Sequence, residues 1–206
     1  MSGKTVLIVE GPDDVHVIKA ICGSHSLGKI GELRPYGGID PLLEGLPVAL
    51  KESEVEAIGI VLDADANVAA RWQAVRSKLE AANYTVPVSP PVQGLVLPGS
   101  AETLRPKVGV WLMPDNVVPG ILENFLKFLV PKDDTLFPRV EAFVDGLPAP
   151  DIKFHEVARP KALIHAWLAL QSEPGRPMGQ AITARYLDAK MPATGNFVAW
   201  LRATFF

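Results

Sequence analysis

The chain has 206 residues, 48% of them hydrophobic, with a formal net charge of −3 and a pI near 5.8. That is enough chain for one well-packed soluble domain, or one domain with an appendage. The slightly acidic balance excludes nucleic-acid binding by bulk charge, so such a partner must be held by a local basic patch or through metal.

Residues 4–9 are a continuous apolar run of the kind found in parallel sheets, ending on Glu10 in "TVLIVEGPDD". Pro12 suits a first helical turn, and Asp13 and Asp14 suit its positive end, so a helix follows. Within it, "VIKAIC" makes Cys22, the single cysteine, a small core residue. One cysteine also excludes an intramolecular disulfide and a multi-cysteine zinc site. "GELRPYGG" reads as a short strand, and "IDPLLEGLPVALKE" as a helix interrupted by its Gly and Pro. "AIGIVLDAD" (57–65) is a second strongly apolar strand, and residues 68–84 form an amphipathic helix. Residues 85–107 are rich in Pro and Gly and hold one short strand. "VGVWLMPD" (108–115) is a further strand ending on Asp115, and 120–130 a helix.

This order predicts an α/β fold with a parallel sheet and right-handed crossovers over residues 1–130. Residues 131–206 are expected to be a helical C-terminal extension packed on the same domain, with helices at 161–171 and in "GQAITARYLDAK". The N-terminus lacks the apolar segment of a signal peptide, and no run of about 18 apolar residues occurs. A cytoplasmic protein without membrane contact is therefore expected.

The carboxyl ends of parallel strands form one rim, outside which ligands bind. Glu10, Asp63 and Asp65 should meet there, with Asp63 and Asp65 on one side of their strand by alternation. Taken singly, such acids are solvated residues or caps, and Asp65 is a fair candidate cap for the next helix. Taken together they repel, and a hard divalent cation with oxygen ligands offsets the repulsion.

Rival motifs are weaker. "GSHSLGKI" nearly spells a P-loop, but Ile30 stands where Ser or Thr is needed and a helix precedes it instead of a strand. His16, His25, His155 and His165 lack the H-E-x-x-H spacing. A phosphoaspartate enzyme carries its D-x-D on the first strand. A response-regulator receiver has contiguous acids, whereas Gly11 and Pro12 separate Glu10 from Asp13.

"VLIVEGPDD" followed by "GIVLDADAN" resembles the Toprim domain, in which a glutamate closes one strand and a D-x-D closes a later one. Within that superfamily the chain looks most like small standalone proteins related to the overcoming-lysogenization-defect (OLD) nucleases. The resemblance implies a second acid at Asp14, a third acidic position at Glu123 in "PGILENFL", and a functional lysine at Lys161 in "ARPKALIHAWLA". No ATPase segment precedes the motifs, and neither a zinc ribbon nor a topoisomerase tyrosine is found, so primase and topoisomerase activities are not expected.

The resemblance implies Mg²⁺- or Mn²⁺-dependent phosphodiester chemistry on DNA or RNA. Asp63, Asp65, Glu10, Asp14 and Glu123 would hold metal and Lys161 would stabilise phosphate charge; Glu10 is a ligand or a general base. Lys4, Arg34, Arg71, Arg105 and Lys107 are candidate backbone contacts. The alternative is a non-catalytic Toprim-fold module binding metal, nucleotide or a protein partner, for which Trp200, Phe205 and Phe206 offer an interface unless they pack on the core.

Overall fold

Strands as apolar as Val6–Val9 and Ile58–Leu62 need cover on both faces. The computed structural model describes residues 3–206 and supplies that cover. Five strands are ordered β2-β1-β3-β5-β4, with β1 at Lys4–Val9, β2 at Glu32–Pro35, β3 at Val55–Asp63, β4 at Leu95–Leu97 and β5 at Lys107–Met113. All pairings are parallel except β4 with β5. The result is a mixed α/β fold with a mostly parallel sheet flanked by helices and a helical C-terminus.

Side chains alternate across this sheet. Val6, Ile8, Ile58, Ile60, Leu62, Val108 and Val110 face α2 (Ile39–Ala49) and α3 (Val68–Ala81). Leu7, Val9, Val61, Trp111 and Met113 face the opposite layer, formed by α1 (Pro12–Ser24) and the later helices α4 (Leu122–Lys127), α5 (Phe137–Asp145), α6 (Arg159–Ala169), α7 (Met178–Thr183) and α8 (Gly195–Phe205). Among the described residues no helix is long and apolar enough to cross a membrane.

Two glycines show how α8 seats. Gly59 and Gly109 are register partners on β3 and β5. A Cβ on Gly59 would lie 2.3 Å from the Phe205 ring, and one on Gly109 2.3 Å from the Thr204 hydroxyl. The bare backbone is what lets α8 lie on the sheet. Trp200 is buried there, stacked at 5.6 Å on Phe197, and its indole N–H donates to Leu95 O at 3.0 Å. Of the three aromatics considered as an interface, Trp200 thus belongs to the core, Phe205 packs against it and Phe206 is exposed.

Three local expectations differ. The helix expected to break at Gly45 and Pro47 is continuous over Ile39–Ala49, because Leu42, Leu46 and Ala49 bury along one face and Gly45 lets the Tyr36 ring approach. The helix expected across "GQAITARYLDAK" stops at Thr183, and Arg185 takes a left-handed backbone with φ 64°. The strand expected to end on Asp115 stops at Met113, and Asp115 instead accepts the Val117 and Val118 amides, both at 2.9 Å. Asp115 serves a turn and takes no part in the acid rim.

Candidate functional site

Because β1 and β3 are adjacent and parallel, the residues that follow them emerge side by side. Glu10 leaves β1 and its Oε1 accepts the backbone N–H of Asp63, the last residue of β3, at 2.8 Å. Asp63 in turn accepts the Leu122 N–H at 2.9 Å, which draws the start of α4 to the same edge. Gly11 and Pro12 turn the chain into α1, and Asp14 Oδ2 accepts the Gly11 N–H at 2.9 Å. Asp14 is 8% exposed and faces the rim, whereas Asp13 is exposed to solvent. Glu123, the second residue of α4, is 3% exposed. Lys161 from α6 places Nζ 3.4 Å from Glu123 Oε1.

Four carboxylates from β1, α1, β3 and α4 therefore converge, and the ionisation of Asp63 and Asp14 shows it. Burial is the largest influence on Asp63, followed by the charges of Asp14, Glu10, Glu123 and Asp65; together they push its carboxyl up to about 8. Asp14 is pushed up to about 6, again by burial first, with Glu10 and Glu123 adding to it against the opposing Gly11 hydrogen bond. Burial also raises Glu10, opposed by the Asp63 amide and the Arg71 charge.

Asp65 departs from the expected geometry. It lies beyond the end of β3 with φ 50°, and its backbone pairs with Gly120 through N–H···O bonds of 2.9 and 2.8 Å. That left-handed residue breaks the alternation that would have set Asp65 beside Asp63. Its carboxylate, 52% exposed, pairs with Arg71 of α3. Nor does Asp65 cap α3: the cap is Asn67, whose Oδ1 accepts the Ala70 N–H at 3.0 Å.

Of the five basic residues considered for substrate contact, only Arg71 stands at this rim. Lys4 begins β1 and pairs with Glu32 at 2.7 Å, while Arg34 pairs with Glu32 and Glu52. Arg105 binds Asn83 O and lies over the Tyr84 ring; Lys107 begins β5 and reaches Ala203 O at 3.2 Å. Lys4, Arg105 and Lys107 sit at the amino end of the sheet, and Arg34, beside Ile8 in register, is committed to Glu32 and Glu52 of the network there. The larger surface clefts, one beside α1 and α7 and one at the amino end of the sheet, hold none of the rim acids either. Cys22 is buried, and burial pushes its thiol up to about 11, which makes it a packing residue.

Among the described residues no three His, Cys, Asp or Glu side chains are set closely enough to grip a metal ion as they stand. One oxygen each of Glu10, Asp14 and Asp63 is engaged by a backbone amide. The donor set itself suits a hard cation, being wholly carboxylate oxygen with uncompensated repulsion centred on Asp63. Contributions that sequence reasoning missed are the Arg71–Asp65 pair and Gly120, which pins Asp65. A glycine two residues before α4, at φ 153°, was the available signal for the second.

No curated protein and no solved structure matches the chain. A family model does, over residues 4–206, and its description is "Protein of unknown function (DUF3226)". With nearly the whole chain matched, sheet and helical tail alike, the chain belongs to the DUF3226 family.

Proposed function

We propose that this chain is a Toprim-type protein related to the OLD nucleases and carries out Mg²⁺- or Mn²⁺-dependent phosphodiester chemistry on DNA or RNA. The observation that carries the reading is the convergence of Glu10, Asp14, Asp63 and Glu123 at the carboxyl end of the sheet with, among the described residues, no cation near them except Lys161 and Arg71 at the edge. Structural acids are ordinarily paired; here the neighbouring charges add to burial in raising the proton affinity of Asp63 and Asp14, which a divalent ion would relieve.

Asp63 would be the central ligand, with Asp14 and Glu123 flanking it and Asp65 reached only by displacing Arg71. When bound, the cation would neutralise phosphate charge, activate water and steady the departing oxygen. Glu10 Oε1 holds the Asp63 amide, which leaves Oε2 free to bind metal or to take a proton from water, a task its raised affinity suits. Lys161 is half exposed beside Glu123 and can meet charge that builds on the phosphate.

One observation favours a second reading, a module that holds metal or a partner without cleaving. Glu10, Asp14 and Asp63 each accept a backbone amide, as acids in a purely architectural role do. A panel of single- and double-stranded DNA and RNA with Mg²⁺, Mn²⁺ or EDTA separates the two. Cleavage that needs metal and disappears in Asp63→Ala is the expected result; Mn²⁺ binding with every substrate left intact shifts the case to the module.

A further inference from the structure

We infer that Arg71 is a metal-released phosphate clamp, which pairs with Asp65 until a divalent ion claims that carboxylate and then turns its guanidinium to the substrate phosphodiester. The inference rests on the metal reading of the acid rim and adds to it an order of events and a residue.

Asp65 cannot easily retreat from its partner. Its backbone is held in the left-handed region by the two hydrogen bonds with Gly120, so only the side chain is free to choose between arginine and metal. Beside it a cavity of about 450 Å³ opens between Asp65, Gly120, Asn124 and Pro160, which leaves room at the carboxylate for part of a substrate.

Arg71 is also incompletely used. Asn67 caps α3 and Arg71 follows one turn later, which aims its side chain back at the rim. Nη2 bonds Asp65, while Nε is buried without a hydrogen-bond partner. A buried guanidinium N–H left unpaired is unfavourable, and rare enough to need a reason. Nη2 is in use and Nε is buried and unpaired, and once turned outward such a fork matches two oxygens of a phosphate. The charge also reaches Glu10, so Arg71 stands within range of the reacting centre. The other four basic residues considered for that contact are committed at or toward the far end of the sheet.

Asp65 Oδ2 serves the guanidinium, and a Mg²⁺ ion drawing charge from the same carboxylate weakens that pair. Metal binding therefore frees Arg71, and phosphate that captures Arg71 frees Asp65 for metal. By linkage the two ligands must strengthen each other by the same factor.

The test is calorimetric titration of Mn²⁺ into the full chain, and fluorescence titration of a phosphorothioate oligonucleotide with Mn²⁺ or EDTA, for wild type, Arg71→Gln and Asp65→Asn. Removing a competing pair of this exposure should tighten Mn²⁺ binding in Arg71→Gln by about fivefold, the equivalent of about 1 kcal/mol. The same variant should lose the Mn²⁺-dependent gain in oligonucleotide affinity. Asp65→Asn should bind oligonucleotide more tightly than wild type in EDTA, because its arginine is already free. Equal Mn²⁺ affinity in wild type and Arg71→Gln, with the oligonucleotide gain intact, overturns the clamp and leaves the metal reading standing. Mn²⁺ binding absent from both overturns the metal reading and the clamp together.

Discussion

The two ends of one sheet handle charge in opposite ways. At the amino end, Lys4, Glu32, Arg34 and Glu52 alternate in sign and bond one another. Hydrogen bonds from Arg34 and then Lys4 hold the Glu32 carboxyl down at about 2, and Arg34 lowers Glu52 as well. At the carboxyl end Asp14 and Asp63 are raised to about 6 and about 8. Both ends gather acids, and the difference is that Glu10, Asp14 and Asp63 at the carboxyl end are held by backbone amides, while Lys161 and Arg71 pair only with Glu123 and Asp65 beside them. An end that completes its own pairing is architecture. An end that leaves the pairing open, at a cost to stability, is the end on which the proposed cation site rests.

The largest effect expected is on chemistry at the open end. Asp63→Ala should lower metal-dependent cleavage at least about 10³-fold, about 4 kcal/mol of transition-state stabilisation, with Arg34→Ala at the closed end leaving the rate unchanged. Rate assays on both variants check it, and equal losses would erase the contrast.

Next is pH. Asp63 and Asp14 hold protons in the folded state that the unfolded chain has released above about 4, so the native state binds more protons between there and about 8. Metal-free stability must therefore fall as pH rises through that window. Glu32 behaves in the opposite sense, its contribution being present above about 4.5 and lost as pH falls toward about 2. Thermal melts in EDTA should show Tm dropping by about 5 °C or more from pH 5 to pH 8, with Mg²⁺ restoring it. Asp63→Asn should flatten the drop and raise Tm at pH 8, an acid whose removal stabilises.

Smaller is the loss of the closed network. Arg34→Ala should cost about 1 kcal/mol, or about 2–4 °C in Tm, and leave Mn²⁺ affinity unchanged by calorimetry. The smallest concerns Lys161, whose side chain is half exposed. Lys161→Ala should move Tm by no more than about 1 °C while slowing cleavage about 10²-fold, a split that a surface lysine without a role would not produce.

How far these features could be read beforehand depended on how local their causes are. The strands at Val6–Val9 and Ile58–Leu62 were legible because burial on both faces leaves an unbroken apolar run, and their order placed Glu10 and Asp63 together. Asp65 was not legible, because its left-handed backbone comes from pairing with Gly120, some fifty-five residues on. Pro47 seemed to end α2, yet tertiary burial of Leu46 and Ala49 carries the helix past it. Glu123 and Lys161 came from a resemblance alone, and only the packing of α4 on α6 sets them against each other. The cations were misassigned although the signal was present. A basic residue that opens a parallel strand, as Lys4 and Lys107 do, lies at the end opposite the acids that follow it.

The glycine pair under α8 has a consequence for synthesis. Gly59 and Gly109 leave a bare strip on the sheet that is covered only by Thr204 and Phe205. On the ribosome, β1, β3 and β5 emerge well before those residues, so the strip over Gly59 and Gly109 stays uncovered after the earlier helices of that layer are made. Until α8 follows, that strip is exposed apolar surface of the kind that makes incompletely folded chains prone to aggregate.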